Sequence, residues 1–139
     1  MSKFRLDRVK EVKEKLLDDK RAEMESCLAE IDRISHNIDM IDNNINSNYE
    51  HMSITTLNGN DYYIMKEYII HLEGKKHELI GHREDLKAAA DSLRSQLLEL
   101  LKEIKMLEIL KSKTLKSIKR SENRREQKIL DELALRLSD

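Results

Sequence analysis

From Met24 onward the chain sets apolar residues at alternating spacings of three and four: Met24, Cys27, Ile31, Ile34, Ile38, Ile41 and Ile45, with charged or amide side chains between them. An α-helix turns once in about 3.6 residues, so this spacing gathers the apolar groups into one seam that another helix must cover. The same spacing returns at Ile69, Leu72, Lys76, Leu79, Arg83, Leu86, Ala90, Leu93, Leu97, Leu100, Ile104, Leu107, Lys111, Thr114 and Ile118. Two such seams in one chain predict an all-α fold, an antiparallel coiled-coil hairpin of two long helices. Helix 1 is expected over about residues 4–49 and helix 2 over about residues 61–137, within a single coiled-coil domain spanning 1–139. The bend is expected at about residues 50–60. There, an amide-rich stretch, a β-branched stretch and Asn58-Gly59-Asn60-Asp61 lower helix propensity, with Asn60 as a candidate N-cap.

The two arms are unequal. At about 1.5 Å per residue the second would reach roughly 118 Å and the first roughly 66 Å, so the second helix must carry a C-terminal overhang. Setting Ile45 near Ile69 and Phe4 near Ile104 would leave residues from about 106 onward unpaired. Before Leu17 the pattern is looser. Leu6, Val9, Val12 and Leu16 share a face while Lys10, Lys13 and Lys20 take the seam register, which predicts a stutter or fraying there. Beyond Ile118 the register passes through Ser121, Arg125 and Lys128, and Ile129, Leu130, Leu133 and Leu137 lie on a shifted stripe.

Composition agrees with extended helices. There is no proline and no tryptophan, and with 4% aromatic against 38% charged residues the apolar groups suffice for a narrow seam rather than a compact core. The net charge of −1 speaks against a general nucleic-acid or membrane binder. Its distribution is uneven: Lys111, Lys113, Lys116, Lys119, Arg120, Arg124, Arg125 and Lys128 face Glu122 and Glu126 near the C-terminal end, whereas the stretch before the bend is acidic. The N-terminal residues lack the apolar core of a signal peptide and no run is apolar enough to cross a membrane, so a cytoplasmic protein without direct membrane insertion is expected. Cys27 falls in the seam, where a small buried hydrophobe is the expected role.

Chemistry is sparse. His77-Glu78-Leu79-Ile80-Gly81-His82 is a zinc-protease helix motif with one residue too many: ligands five apart point about 140° from each other and cannot share an ion. Nor is there a glycine-rich phosphate loop or a nucleophile elbow, and a two-stranded coiled coil offers little concave space for a substrate. No enzyme activity, cofactor or metal is expected. Lys113, Lys116, Arg120 and Arg124 make a basic stripe, which serves either as a solvated face or as a surface for an acidic partner. Tyr49, Tyr62, Tyr63 and Tyr68 gather near the bend, as interface anchors or as a plug for the end of the seam. Gly74 and Gly81 lie on the outer face, admitting a partner backbone or softening the helix.

The opening FRLDRVKEVKEKLLDDKRAEM and above all the closing KMLEILKSKTLKSIKRSENRREQKILDELAL resemble the FliJ family of flagellar export proteins. The resemblance implies a coiled-coil stalk of the flagellar type III protein export apparatus, with the free helix ends inserted in the hexameric export ATPase. The positions matching the family's ATPase contacts are Arg124, Arg125, Gln127, Lys128, Leu130 and Glu132, and Arg120 of the basic stripe joins them. Tyr49, Tyr68 and Leu72 match the family's contact with the membrane export gate, whereas Ile45, Lys75 and Leu79 depart from its pattern. Export chaperones are further candidate partners, and nucleic acid is not expected. The resemblance places the protein peripherally at the inner face of the cell membrane. Two alternatives stay open: the equivalent stalk of a virulence-type secretion system, and a homodimeric coiled coil without an ATPase partner.

Overall fold

A computed structural model describes residues 2–138, with side chains over 5–138. Helix α1 covers Ser2–Ile54 and helix α2 covers Gly59–Ser138, and they pack against each other as an all-α helical hairpin with no strand among the described residues.

The bend is shorter than expected. Helix α1 continues past residue 49 to Ile54, leaving only residues 55–58 outside the helices. The low-propensity stretch stays helical with Met52 packed against Ile45, Ile69 and Leu72, while Asn48 Nδ2 donates to the Asn44 carbonyl (2.8 Å) and Ser53 Oγ to the Glu50 carbonyl (2.8 Å). Asn58, not Asn60, caps α2. Its Oδ1 accepts the Asp61 backbone N–H at 2.8 Å, and its carbonyl accepts the Tyr62 N–H at 3.0 Å as the first helical bond. Asp61 then places an acid in the first turn, where the helix dipole favours it.

Contacts cluster in two units, residues 20–96 and the described part of 1–19 with 97–139. In the first unit the seam is the one the spacing predicts. Ile34 is fully buried, Ile38 and Ala90 nearly so, and Ile45 packs with Ile69 and Leu72, flanked by Ile41 and Met52. Three cations occupy seam positions here, Lys20, Lys76 and Arg83, and Lys20 Nζ reaches Glu23 of its own helix at 3.5 Å. Lys76 Nζ reaches Asp42 at 2.6 Å, and Arg83 Nη1 donates to Ser35 Oγ at 3.3 Å while its buried Nε has no partner. Cys27 is half-buried, and its thiol donates to the Leu86 carbonyl at 3.2 Å.

In the second unit Leu17 packs on Leu100 and Ile104, with Leu97 against them. No stutter interrupts the seam. Leu6, Lys10, Lys13 and Leu17 keep the heptad register and are covered, whereas Val9, Val12 and Leu16 are exposed. The lysines are accommodated because α2 opposes them with acids: Lys13–Glu103 at 2.6 Å and Lys10–Glu108 at 3.4 Å, with Asp7–Lys111 at 2.8 Å in the reverse sense. Their stems cover the seam while the ammonium groups reach its edge.

These pairs also correct the length of the overhang. Partial burial of α2 extends to Thr114, and every described residue from 115 onward is exposed, so the free segment starts near 115 rather than 106. Two helices of equal rise must advance by equal numbers of residues, and counting back from Ile45 to Phe4 brings α2 to about residue 110, not 104. The Phe4 side chain itself lies outside the described ones.

Candidate functional site

The described residues of α1 do not cover the C-terminal part of α2, which stays helical to Ser138. Lys111, held by Asp7, is the last α2 residue in an ion pair with α1, and Thr114 turns its hydroxyl inward to the Leu110 carbonyl at 2.9 Å. Beyond this point Leu115, Ile118, Ile129, Leu130, Leu133, Leu135 and Leu137 are all exposed. This segment combines uncovered apolar side chains with many charges.

All seven residues expected to meet an ATPase lie on this free segment and are exposed. At about 100° per residue, Arg120, Arg124, Gln127 and Lys128 share one side of α2. Arg125 and Glu132 lie roughly a quarter turn to one side, and Leu130 roughly a quarter turn to the other. The seven positions therefore wrap around the helix. Gln127 Nε2 donates to Asp131 Oδ1 at 3.0 Å, while no ion pair among the described residues engages Lys113, Lys116, Arg120, Arg124, Arg125 or Lys128. Elsewhere some charges are matched locally. Arg33, for example, bonds Glu30 from the next turn and holds its carboxyl below the usual value. Unmatched cations leave a positive field that an anionic surface would meet.

The three residues expected at the export gate are not equivalent. Leu72 is 6% exposed and belongs to the seam with Ile45 and Ile69, so it supports the surface rather than forming it. Tyr49 and Tyr68 are exposed, yet they occupy opposite flanks. Tyr68 directly precedes the seam residue Ile69 and its hydroxyl accepts the Asn44 side-chain N–H at 3.3 Å, while Tyr49, four residues after Ile45, projects on the other flank. The tyrosines do not plug the seam, which Met52 closes; Tyr62 and Tyr63 are exposed as well, with Lys66 Nζ over the Tyr62 ring at 5.7 Å. Asn37, Met40, Lys75, Leu79 and His82 line a groove on the Tyr68 flank that spacing alone did not single out.

His77 and His82 are exposed, and among the described residues no group of three His, Cys, Asp or Glu is arranged to hold a metal ion. Nor is any described helix long and apolar enough to cross a membrane. The sequence reading also passed over an apolar groove lined by Met106, Leu107, Ile109 and Leu110, although the shared face of Val9, Val12 and Leu16 was its visible signal.

Compared with known proteins, the chain matches no curated protein and no solved structure. The family model described as Flagellar FliJ protein matches residues 2–138. Two helices in a hairpin, an uncovered C-terminal segment and a match over nearly the whole chain agree, and this protein belongs to the flagellar FliJ family of export-associated stalk proteins.

Proposed function

We propose that this chain is a non-enzymatic stalk of the flagellar type III export apparatus, whose helix ends enter the hexameric export ATPase, promote its assembly and activity, and couple it to the membrane export gate. The observation that carries this reading is the α2 segment from residue 115 onward, helical, uncovered by α1 and bearing cations without acidic partners. A single helix of this kind is stable in water chiefly by packing on something else, and a ring of protein around it would supply that surface.

Arg120, Arg124, Arg125, Gln127, Lys128, Leu130 and Glu132 make the ATPase contact in this account. Arginine suits it, since the planar guanidinium pairs with carboxylates in a bidentate manner and stays charged. Tyr49 and Tyr68 contact the gate from the two flanks, with Leu72 fixing the spacing of the helices beneath them. Export chaperones are further candidates for the remaining exposed faces.

The test is stimulation of the purified export ATPase by the full chain. Arg124→Glu combined with Arg125→Glu should abolish stimulation while leaving helical content unchanged, because both side chains are exposed. Undiminished stimulation by that double variant would sink the pore assignment.

A further inference from the structure

Three concave stretches on one flank of the unit formed by 1–19 and 97–139 share residues end to end. The first is lined by Arg8, Val9, Val12 and Lys13. The second, a shallow groove of about 580 Å³, runs from Lys13 and its ion-pair partner Glu103 past Met106, Leu107, Ile109 and Leu110 to Lys113. The third, about 520 Å³, runs from Lys113 past Lys116, Ser117, Arg120 and Ser121 to Arg124. The flank is the same throughout because Val9 and Leu16 precede seam positions of α1 as Leu110 and Ser117 precede those of α2. In an antiparallel pair those positions face each other across one side of the seam.

The two halves differ in chemistry. Where α1 still accompanies α2, the track is lined mainly by apolar side chains, with Arg8 and the Lys13–Glu103 ion pair among them: Val12 and Met106 are each 68% exposed, and Ile109 and Leu110 about half. Beyond the described α1 residues, its lining has four cations, two hydroxyls and no acid, and none of those cations is in an ion pair among the described residues. We propose that this track is the docking site for one amphipathic helix of a partner protein, with an apolar stripe in one half and a row of carboxylates in the other.

The dimensions fit one helix. From Met106 to Arg124 the track is about 27 Å long at 1.5 Å per residue, which matches about five turns of a partner. A helix laid beside two packed helices buries its stripe between them, as in other helix-in-groove complexes. Nucleic acid suits the track poorly, since the half lined by Val12, Met106, Ile109 and Leu110 is mainly apolar and the lining has no aromatic side chain for bases to stack on. The inference shares Arg120 and Arg124 with the proposed ATPase contact but does not depend on it.

The probe is a fluorescein-labelled, helix-forming peptide of about twenty residues. Its first half carries leucines at spacings of three and four, and its second half carries glutamates at the same spacings. Anisotropy titrations of the full chain should show saturable binding that weakens with salt. Met106→Gln with Leu110→Gln should weaken binding at least about tenfold without changing the salt dependence, whereas Lys116→Gln with Arg120→Gln should weaken it as much and flatten that dependence. A peptide with lysines in place of glutamates should bind at least about tenfold more weakly. Lys105→Gln, away from the track, should change nothing.

Four results would each overturn the proposal: no binding of the acidic peptide, equal binding of the lysine peptide, indifference to the Met106 and Leu110 substitutions, or a dimer in sedimentation equilibrium that those substitutions dissociate. Displacement of the peptide by a single-stranded oligonucleotide of equal affinity would likewise reassign the track to nucleic acid. Stimulation of the export ATPase, kept or lost, bears on the earlier reading alone, because the probe contains no part of that enzyme.

Discussion

Arg83 stands where the heptad calls for an apolar side chain, and replacing it with leucine should stabilise the hairpin. Its Nη1 has a long hydrogen bond to Ser35, and its Nε is buried with no acceptor among the described residues. Leaving a buried donor unmet costs about 1–3 kcal/mol. Burying a leucine contributes about 1.5–3 kcal/mol when complete. The site is half-buried and the arginine stem already covers part of the seam, so the net gain expected is about 1–2 kcal/mol. Ser35 loses a partner in the exchange, but a serine hydroxyl in a helix can turn to a carbonyl of its own preceding turn. With a urea slope of about 2 kcal/mol per molar, the midpoint of unfolding followed by circular dichroism should rise by about 0.5–1 M at unchanged slope. An unchanged or lower midpoint would refute the reasoning, since it would mean that the guanidinium finds more compensation in the seam than its geometry provides.

The end of helix pairing can be checked by truncating two isoleucines: Ile34→Ala should cost about 2–5 kcal/mol, and Ile118→Ala, at an exposed position past the last covered residue, less than about 0.5 kcal/mol by the same denaturation assay. Asn58→Ala removes the acceptor for the Asp61 N–H and should cost about 1 kcal/mol, with amide exchange quickening first at residues 59–62. Gly81→Ala should stabilise by about 1 kcal/mol, because a methyl group there meets no atom within 4 Å; destabilisation would show that the glycine serves the hairpin itself. The coupling of Lys13 to Glu103, measured by a double-mutant cycle, should be about 0.2–1 kcal/mol and shrink with added salt, as both side chains are about one-third exposed.

Much of this fold is legible in the residue pattern because a two-helix seam is a one-dimensional object. Each seam residue from Met24 to Ile45, and each from Ile69 to Thr114, is covered to some degree, including the lysines and the arginine whose chemistry argued against it. Periodicity is set by helix geometry and survives polar intrusions that a stem can span. The break in apolar spacing at Lys10 and Lys13 looks like a stutter in the sequence because an isolated helix does not reveal that Glu103 and Glu108 of α2 face those ammonium groups. The bend failed for a related reason. Asn48 and Ser53 have poor helix propensity, yet α1 runs on to Ile54, with Met52 packed across the seam against Ile45, Ile69 and Leu72.

The candidate site was legible in part. The basic, apolar-interspersed C-terminal segment and its family resemblance could be read from residue types, and exposure of Arg120 to Glu132 accords with them. What sequence alone left undecided was everything that depends on register. By itself the chain determined two long helices, an unequal hairpin and an unmatched cationic end, because periodicity and charge are local properties of a helix. Tertiary pairing decided that the free segment starts near residue 115, that Leu72 lies inside the seam while Tyr49 and Tyr68 look out on opposite flanks, and that Val12 and Met106 border one track. Those facts follow from how far one helix slides along the other, and opposing side chains such as Asp7 with Lys111 fix that distance only when both helices are present.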